Sequence, residues 1–466
     1  MKSSFLQRTL TTLRHAVCIV LASCLFVGNS FAALDIELTQ GVVGAIPIAI
    51  VPFTGQSGQY TGEENIASII HHDLKNSGRF QVLNRKQIRQ FPTTPLEIDT
   101  PHWRGQKVDY VLVGKMSNTD DGRIRIHLDL VDIYTGRSQS EKSVNSNASP
   151  NPTTHTVVFS KEYTVSVEGI RRLAHKISDE IYLKLTGERG IFSTRIAYVL
   201  VKHHQHRPYE YQLQIADFDG QNAQTLLTSR EPIMSPAWSP DARRLAYVSF
   251  ERDTSEVYVQ SIETGARQKI ASFKGINSAP AWSPNGKKLA VVLSRTGKPK
   301  IHVLDLVSRR FEQITFGESI DTEPFWMPDG QSILFTSNRG GSPQIYRASL
   351  GSHKVERVTF DGNYNASVDI SHDGKTLAYL HQEGKRFTIA VQNLRTGFAR
   401  TLTKTTSGLD ESPSLSPNGR LILYATQHRD QGILALISVD GLIQLRLPAH
   451  DGNVQEPAWS PYTSLN

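Results

Sequence analysis

The chain has 466 residues, with 51 Lys and Arg against 44 Asp and Glu and a formal net charge of +7 at pH 7. The two signs are mixed throughout, without the concentrated basic stripe that nucleic-acid binding requires, so no partner of that class is expected. Both cysteines, Cys18 and Cys24, fall near the start of the chain, which excludes cysteine as a nucleophile or metal ligand anywhere beyond residue 24.

Lys2, Arg8 and Arg14 precede an apolar run from Ala16 to Gly28, and Ser30-Phe31-Ala32 follows it. This is the layout of a secretory signal peptide over residues 1–32, with cleavage expected after Ala32. The run is about 13 residues, short of the ~20 that cross a bilayer, so no membrane span is expected. In an alternative reading Leu21-Ala22-Ser23-Cys24 is a lipoprotein signal acylated at Cys24, but Leu25, Phe26 and Val27 carry the apolar segment past the cysteine. Processing would lower the formal charge to +4 and leave an exported chain without disulfides, held by its own cores.

Residues 33–190 read as an α/β domain. Ile46 to Phe53 is an apolar strand-like run; Thr61 with Glu64 forms a capping box; Ile66, Ile69, Ile70 and Leu74 make a helical face that ends at Gly78. Strands are expected over 80–83, 110–116 and 124–134. Residues 138–156, rich in Ser, Asn, Thr and Pro, read as a surface loop. A long helix is expected over 167–185, with Ile170, Leu173, Ala174, Ile177, Ile181 and Leu185 on one face and Gly187 as its stop.

From residue 191 to 466 a repeat takes over. Trp-Ser-Pro-Asp/Asn-Gly, followed by a run like Leu-Ala-Tyr, recurs with its first position at Trp238, Trp282, Trp326, Ile370, Leu415 and Trp459, at intervals of 44 or 45 residues. Four of the five tryptophans occupy that one position, which argues for a buried slot repeated in a periodic architecture. Proline and glycine encode the turn locally, and alternating stretches such as Val257-Tyr258-Val259 complete about four short strands per period, the content of one propeller blade. The sixth copy stops after one strand. Its missing strands are found at the front, where Ile196-Ala197-Tyr198-Val199 resembles Leu245-Ala246-Tyr247-Val248. The expected fold is therefore an α/β domain followed by a six-bladed β-propeller closed by strands from both ends of the domain, which removes open sheet edges.

The chain offers little catalytic chemistry. There is no Gly-x-Ser-x-Gly elbow and no phosphate-binding Gly-rich loop, since Gly340-Gly341 lies in a strand-to-strand turn. His203-His204-Gln205-His206 reads as a loop rather than a zinc site, and His71-His72, adjacent in a helix, point to different faces and read as surface and boundary residues. Ser371-His372-Asp373-Gly374 reads as a blade turn. No enzyme activity, cofactor or metal is expected. A secreted propeller enzyme, a carbohydrate-binding module and a metal-binding propeller remain as the alternatives.

The block from Ala174 to Tyr182, Lys184-Leu185-Thr186-Gly187-Glu188-Arg189-Gly190, and Thr194-Arg195-Ile196-Ala197-Tyr198-Val199 resembles the domain junction of the TolB family, periplasmic components of the Tol-Pal cell-envelope system. Val108 to Gly114, Ser235 to Asp241 and Pro457 to Tyr462 are similar to the same family, so the resemblance runs from Leu34 to Tyr462. It implies a periplasmic scaffold that supports outer-membrane integrity and cell division, with the lipoprotein Pal, the inner-membrane protein TolA and other envelope proteins as partners.

The resemblance also implies that the residues three and four positions before each repeat start line the propeller channel. There Glu323, Glu411 and Glu456, with Asp321 and Asp410 beside them, would form an acidic rim. Pal would be held by Ala279, Thr322, Glu323, Glu411 and Glu456. A polar mouth could also attract a cation, although no carboxylate spacing identifies such a site. Leu34, Ile36 and Leu38 alternate with Asp35, Glu37 and Thr39, a pattern suited either to an edge strand of the α/β domain or to pairing with another protein. In the family this segment engages TolA and can alternatively dock on its own protein.

Overall fold

The computed structural model describes residues 36–38, 44–55, 65–134, 155–203, 209–404, 409–448 and 451–463. The expected signal peptide, the capping pair Thr61 and Glu64, most of loop 138–156 and His204 to His206 lie outside them. The first described element is β1 (Ile36–Leu38). The α/β region follows with β2 (Ile46–Ile50), β3 (Thr54–Gly55), α1 (Ile66–Asn76), β4 (Phe80–Val82), α2 (Thr100–Gly105), β5 (Tyr110–Asn118), β6 (Ile124–Asp132), β7 (Thr156–Val165) and α3 (Ile170–Thr186). Its sheet runs β4-β2-β5-β6-β7, with β3 beside β5; β2 is parallel to both neighbours and the β5-β6-β7 side is antiparallel.

Local chemistry accounts for the helix ends. Asn65 caps α1 by accepting the Ser68 N–H at 2.9 Å. Gly187 ends α3 in the left-handed conformation, φ 75°, where its N–H reaches the Leu183 carbonyl. His71 departs from the expectation of a surface residue. It is buried in α1, and burial, with His72, Lys75 and Arg85 nearby, lowers its pKa to about 4.

Six radial sheets make the propeller. Blades 1 to 5 begin with inner strands Ile233–Trp238, Asn277–Trp282, Asp321–Trp326, Asn365–Ile370 and Asp410–Leu415. The sixth sheet joins the late strand Asn453–Trp459 to β8 (Arg195–Lys202), followed outward by β9 (Glu210–Asp217) and β10 (Gln224–Ser229). The first strand of the chain is not an edge strand of the α/β sheet. β1 instead pairs antiparallel with Ile443–Arg446, the outer strand of blade 5, in the register Ile36 with Leu445 and Leu38 with Ile443.

The repeat position is an inter-blade latch. The indole N–H groups of Trp238, Trp282 and Trp326 donate to the carbonyls of Ala458, Ala237 and Ala281 on the preceding blade, at 3.0–3.1 Å. Where the repeat carries Leu415 the latch changes chemistry: Asp369 accepts the Leu415 N–H at 2.8 Å, and in the next joint Ser414 accepts the Trp459 N–H at 2.9 Å. The α/β region and the propeller share a continuous apolar core, from Ile70, Leu74, Ala174 and Ile177 through Phe192 and Phe218 to Leu423 and Leu436.

Candidate functional site

Every inner strand breaks its ladder at the same place. The register slips between Met234 and Ala237, Ser278 and Ala281, Thr322 and Phe325, Ala366 and Asp369, Glu411 and Ser414, and Gln455 and Ala458. Within each slip one non-glycine residue is left-handed: Ser235, Ala279, Glu323, Ser367, Ser412 and Glu456, with φ between 46° and 52°. Each such residue costs roughly 1–3 kcal/mol unless its surroundings hold it, and conformations of this kind collect at functional sites. A bulge re-aims side chains and frees a backbone N–H. Here it does so six times around one channel.

Two of the freed N–H groups are satisfied across blades by carboxylates of the same ring. Glu323 accepts the Ser367 N–H at 2.9 Å and the Thr336 hydroxyl at 2.7 Å, and Glu456 accepts the Ser235 N–H. Glu456 is pushed up to about 7 by burial and by the charges of Glu411 and Glu323, against the opposing Ser235 hydrogen bond. Burial also raises Glu411. Side chains from blades 3, 5 and 6 thus share one low-dielectric space at the mouth.

The acidic rim consists of these three glutamates, and Asp321 and Asp410 do not join it. Asp321 is fully buried between Lys300 at 3.0 Å and Arg339 at 2.9 Å, and it accepts the Ser337 hydroxyl at 2.6 Å. Asp410 is buried against the Thr426 hydroxyl at 2.6 Å. Exposure of a carboxylate cannot be read from its position when its partners lie far along the chain. The remaining expected residues, Ala279 and Thr322, sit at the bulges of blades 2 and 3, at the same level as Glu323.

Sequence reasoning missed a set of exposed apolar side chains near the starts of the inner strands. Phe316 and Phe360 stand exposed on the loops that enter blades 3 and 4, Phe360 at 70%, and Ile276 and Ile320 immediately precede the inner strands of blades 2 and 3. The signal was available in the matching segments Ile314-Thr315-Phe316 and Val358-Thr359-Phe360.

One cluster of metal-capable side chains is present among the described residues. Asp73, His175 and Asp219 bring ligand atoms within 4.8 Å of one another. Arg171 already pairs with Asp217 and Asp219 there, at 2.8 and 2.5 Å, so the guanidinium holds the place a cation would take. Among the described residues no helix is long and apolar enough to cross a membrane.

Comparison with known proteins agrees with this architecture. The family model of the TolB amino-terminal domain matches residues 34–139, and that of the TolB beta propeller domain matches residues 182–463. The Tol-Pal system protein TolB of Coxiella burnetii is 53% identical over 454 residues, 97% of this chain and 99% of the relative. Its counterpart in Nitrosococcus oceani is 55% identical over 431 residues, 92% of this chain and 94% of the relative. The crystal structure of TolB from Acinetobacter baumannii superposes with a TM-score of 0.79 at 40% identity, covering 92% of this chain and all of that one. The chain belongs to the TolB family of Tol-Pal system proteins.

Proposed function

We propose that this chain is a non-catalytic periplasmic adaptor that holds the outer-membrane lipoprotein Pal at the propeller mouth and the inner-membrane protein TolA at its first strand. In that role it supports outer-membrane integrity and invagination during division. Ala279, Thr322, Glu323, Glu411 and Glu456 form the Pal surface; Leu34, Asp35, Ile36, Glu37, Leu38 and Thr39 form the TolA segment.

The observation that carries the reading is the ring of six left-handed bulges, which fixes the mouth before any partner arrives. Preorganisation of this kind lowers the ordering cost of binding. The first strand offers the complementary property. β1 is three residues long and lies at a sheet edge, and a segment of that length is marginal by itself, so it can exchange its partner strand at little cost.

Pull-down from envelope extract with wild type and Glu323→Lys tests the mouth. Wild type recovers Pal, and the variant loses it because the cross-blade acceptor for Ser367 becomes a cation. Deleting residues 33–40 abolishes TolA binding and leaves Pal binding intact; unchanged TolA affinity refutes the strand assignment.

A further inference from the structure

The Arg171 cluster lies where the α/β region meets the propeller. α1 contributes Asp73, α3 contributes Arg171 and His175, the end of β9 contributes Asp217, and the turn after it contributes Phe218 and Asp219. His175 and Asp73 are 3% and 2% exposed, and His175 Nδ1 lies 2.8 Å from Asp73 Oδ2. The other ring nitrogen, Nε2, has no hydrogen-bond partner and faces Asp217 Oδ2 at 3.9 Å. The Phe218 ring packs edge-on against the imidazole, 5.6 Å between centroids.

A neutral imidazole fits this environment poorly. With its proton on Nδ1 for Asp73, it turns the Nε2 lone pair towards the Asp217 oxygen that Arg171 already holds, so Nε2 stays unsatisfied and faces a like partial charge. The imidazolium donates to Asp73 and directs its second N–H at Asp217. Charge balance points the same way. Three carboxylates, Asp73, Asp217 and Asp219, face one guanidinium, Arg171, and a protonated His175 supplies the second positive charge. Arg172 and Asp179 on α3 and Arg195 on β8 are the other charged groups nearby; Asp179 is engaged with the Phe192 and Ser193 N–H groups, and Arg195 with the Ala242 carbonyl.

We propose that His175 is a proton-operated latch between the α/β region and the propeller, closed while the imidazolium bridges Asp73 of α1 and Asp217 at the end of β9. When the proton leaves, Nε2 becomes an acceptor facing a carboxylate and the contact slackens. Burial opposes the charge on His175, but Asp73 and Asp219 outweigh it and hold its pKa above the ordinary 6.5. A raised value means that the stabilising contribution is complete below the ordinary histidine range and is lost as pH rises through the folded-state value. The junction is therefore tightest at mildly acidic pH and loosens on the alkaline side, independently of which partner occupies the mouth.

The test uses the intact exported chain. Histidine-labelled NMR, with His175 assigned from the signal lost in His175→Gln, is expected to show a midpoint above 6.5. Asp217→Asn, which removes one facing charge at the partly exposed end of β9, lowers that midpoint. Energy transfer between dyes on Lys86→Cys and Ser352→Cys changes along the same titration and loses its pH dependence in His175→Gln. The proposal is overturned if His175 titrates at or below 6.5, or if the pH-dependent distance change persists undiminished in His175→Gln. If His175→Gln does not fold, Asp217→Asn decides: an unshifted midpoint overturns the latch.

Discussion

Glu456 shows how one residue can be bound to two demands. Its carboxylate accepts the N–H of a strained residue on the next blade, yet burial and two neighbouring glutamates push its pKa up to about 7. A carboxyl whose folded value is raised stabilises the fold below the ordinary carboxylate range and loses that contribution as pH climbs through about 7. Glu456→Gln keeps an acceptor for Ser235 and removes the titration. In urea unfolding it is expected to match wild type near pH 5 and to exceed it by about 1–3 kcal/mol at pH 8. An equal difference at both pH values would mean that the charge is not what the mouth resists. The mouth carries that cost at a position proposed for partner contact, and strain and unfavourable charge collect where function competes with stability.

Among the elements, the blade turn rests on a balance of two small terms. In four copies a left-handed glycine, Gly286, Gly330, Gly374 or Gly419, follows the Asp or Asn of the turn; in the first copy Ala242 takes the same conformation at φ 54°. A left-handed alanine costs roughly 1–2 kcal/mol. The Ala242 methyl, however, is 1% exposed in the core shared with Trp238 and Leu245, and a buried methyl returns ~0.8 kcal/mol. Ala242→Gly is therefore expected to shift the unfolding free energy by less than about 1 kcal/mol. At Gly286 a new Cβ would lie in ordinary contact with Pro240, 3.7 Å from its Cδ. Gly286→Ala should cost about 1 kcal/mol from the backbone alone, and the same urea titrations measure both.

The repeat made these elements legible in the sequence because each turn is encoded by residues adjacent to one another, and four of the six slots by a tryptophan. The bulges were less visible, though proline follows the left-handed residue in five of six copies, at Pro236, Pro280, Pro324, Pro413 and Pro457. Proline inside a strand signals an edge or a bulge. β7 left no comparable mark. It is an edge strand with many exposed side chains on both faces, so no alternation betrays it. The burial of Asp321, the shielding of His71 and the docking of β1 on blade 5 all depend on residues distant in the chain, and no local pattern could carry them.

At the scale of the whole molecule, the stretch between α3 and β8 decides whether the two halves act as one. Asp179 of α3 accepts the Phe192 and Ser193 N–H groups at 2.9 and 3.0 Å, Arg420 of blade 5 pairs with Glu188, and the Arg189 guanidinium lies 3.9 Å over the Tyr462 ring. Gly190 makes this crossing possible, since a Cβ there would fall 2.4 Å from Asp179 Oδ1 and 3.0 Å from its Cα. Gly190→Ala should displace the carboxylate, forfeit both backbone bonds and cost about 2–4 kcal/mol. Calorimetry should then show a broader or more divided transition than that of wild type; an unchanged profile would show that the junction does not couple the two halves. The sixth blade adds a constraint in time. Its innermost strand, Asn453–Trp459, is synthesised after the other described strands of the propeller, so until it emerges the edge of β8 is unpaired. A chain arrested short of Asn453 would present that edge to its neighbours, so the last strand doubles as a checkpoint on completeness.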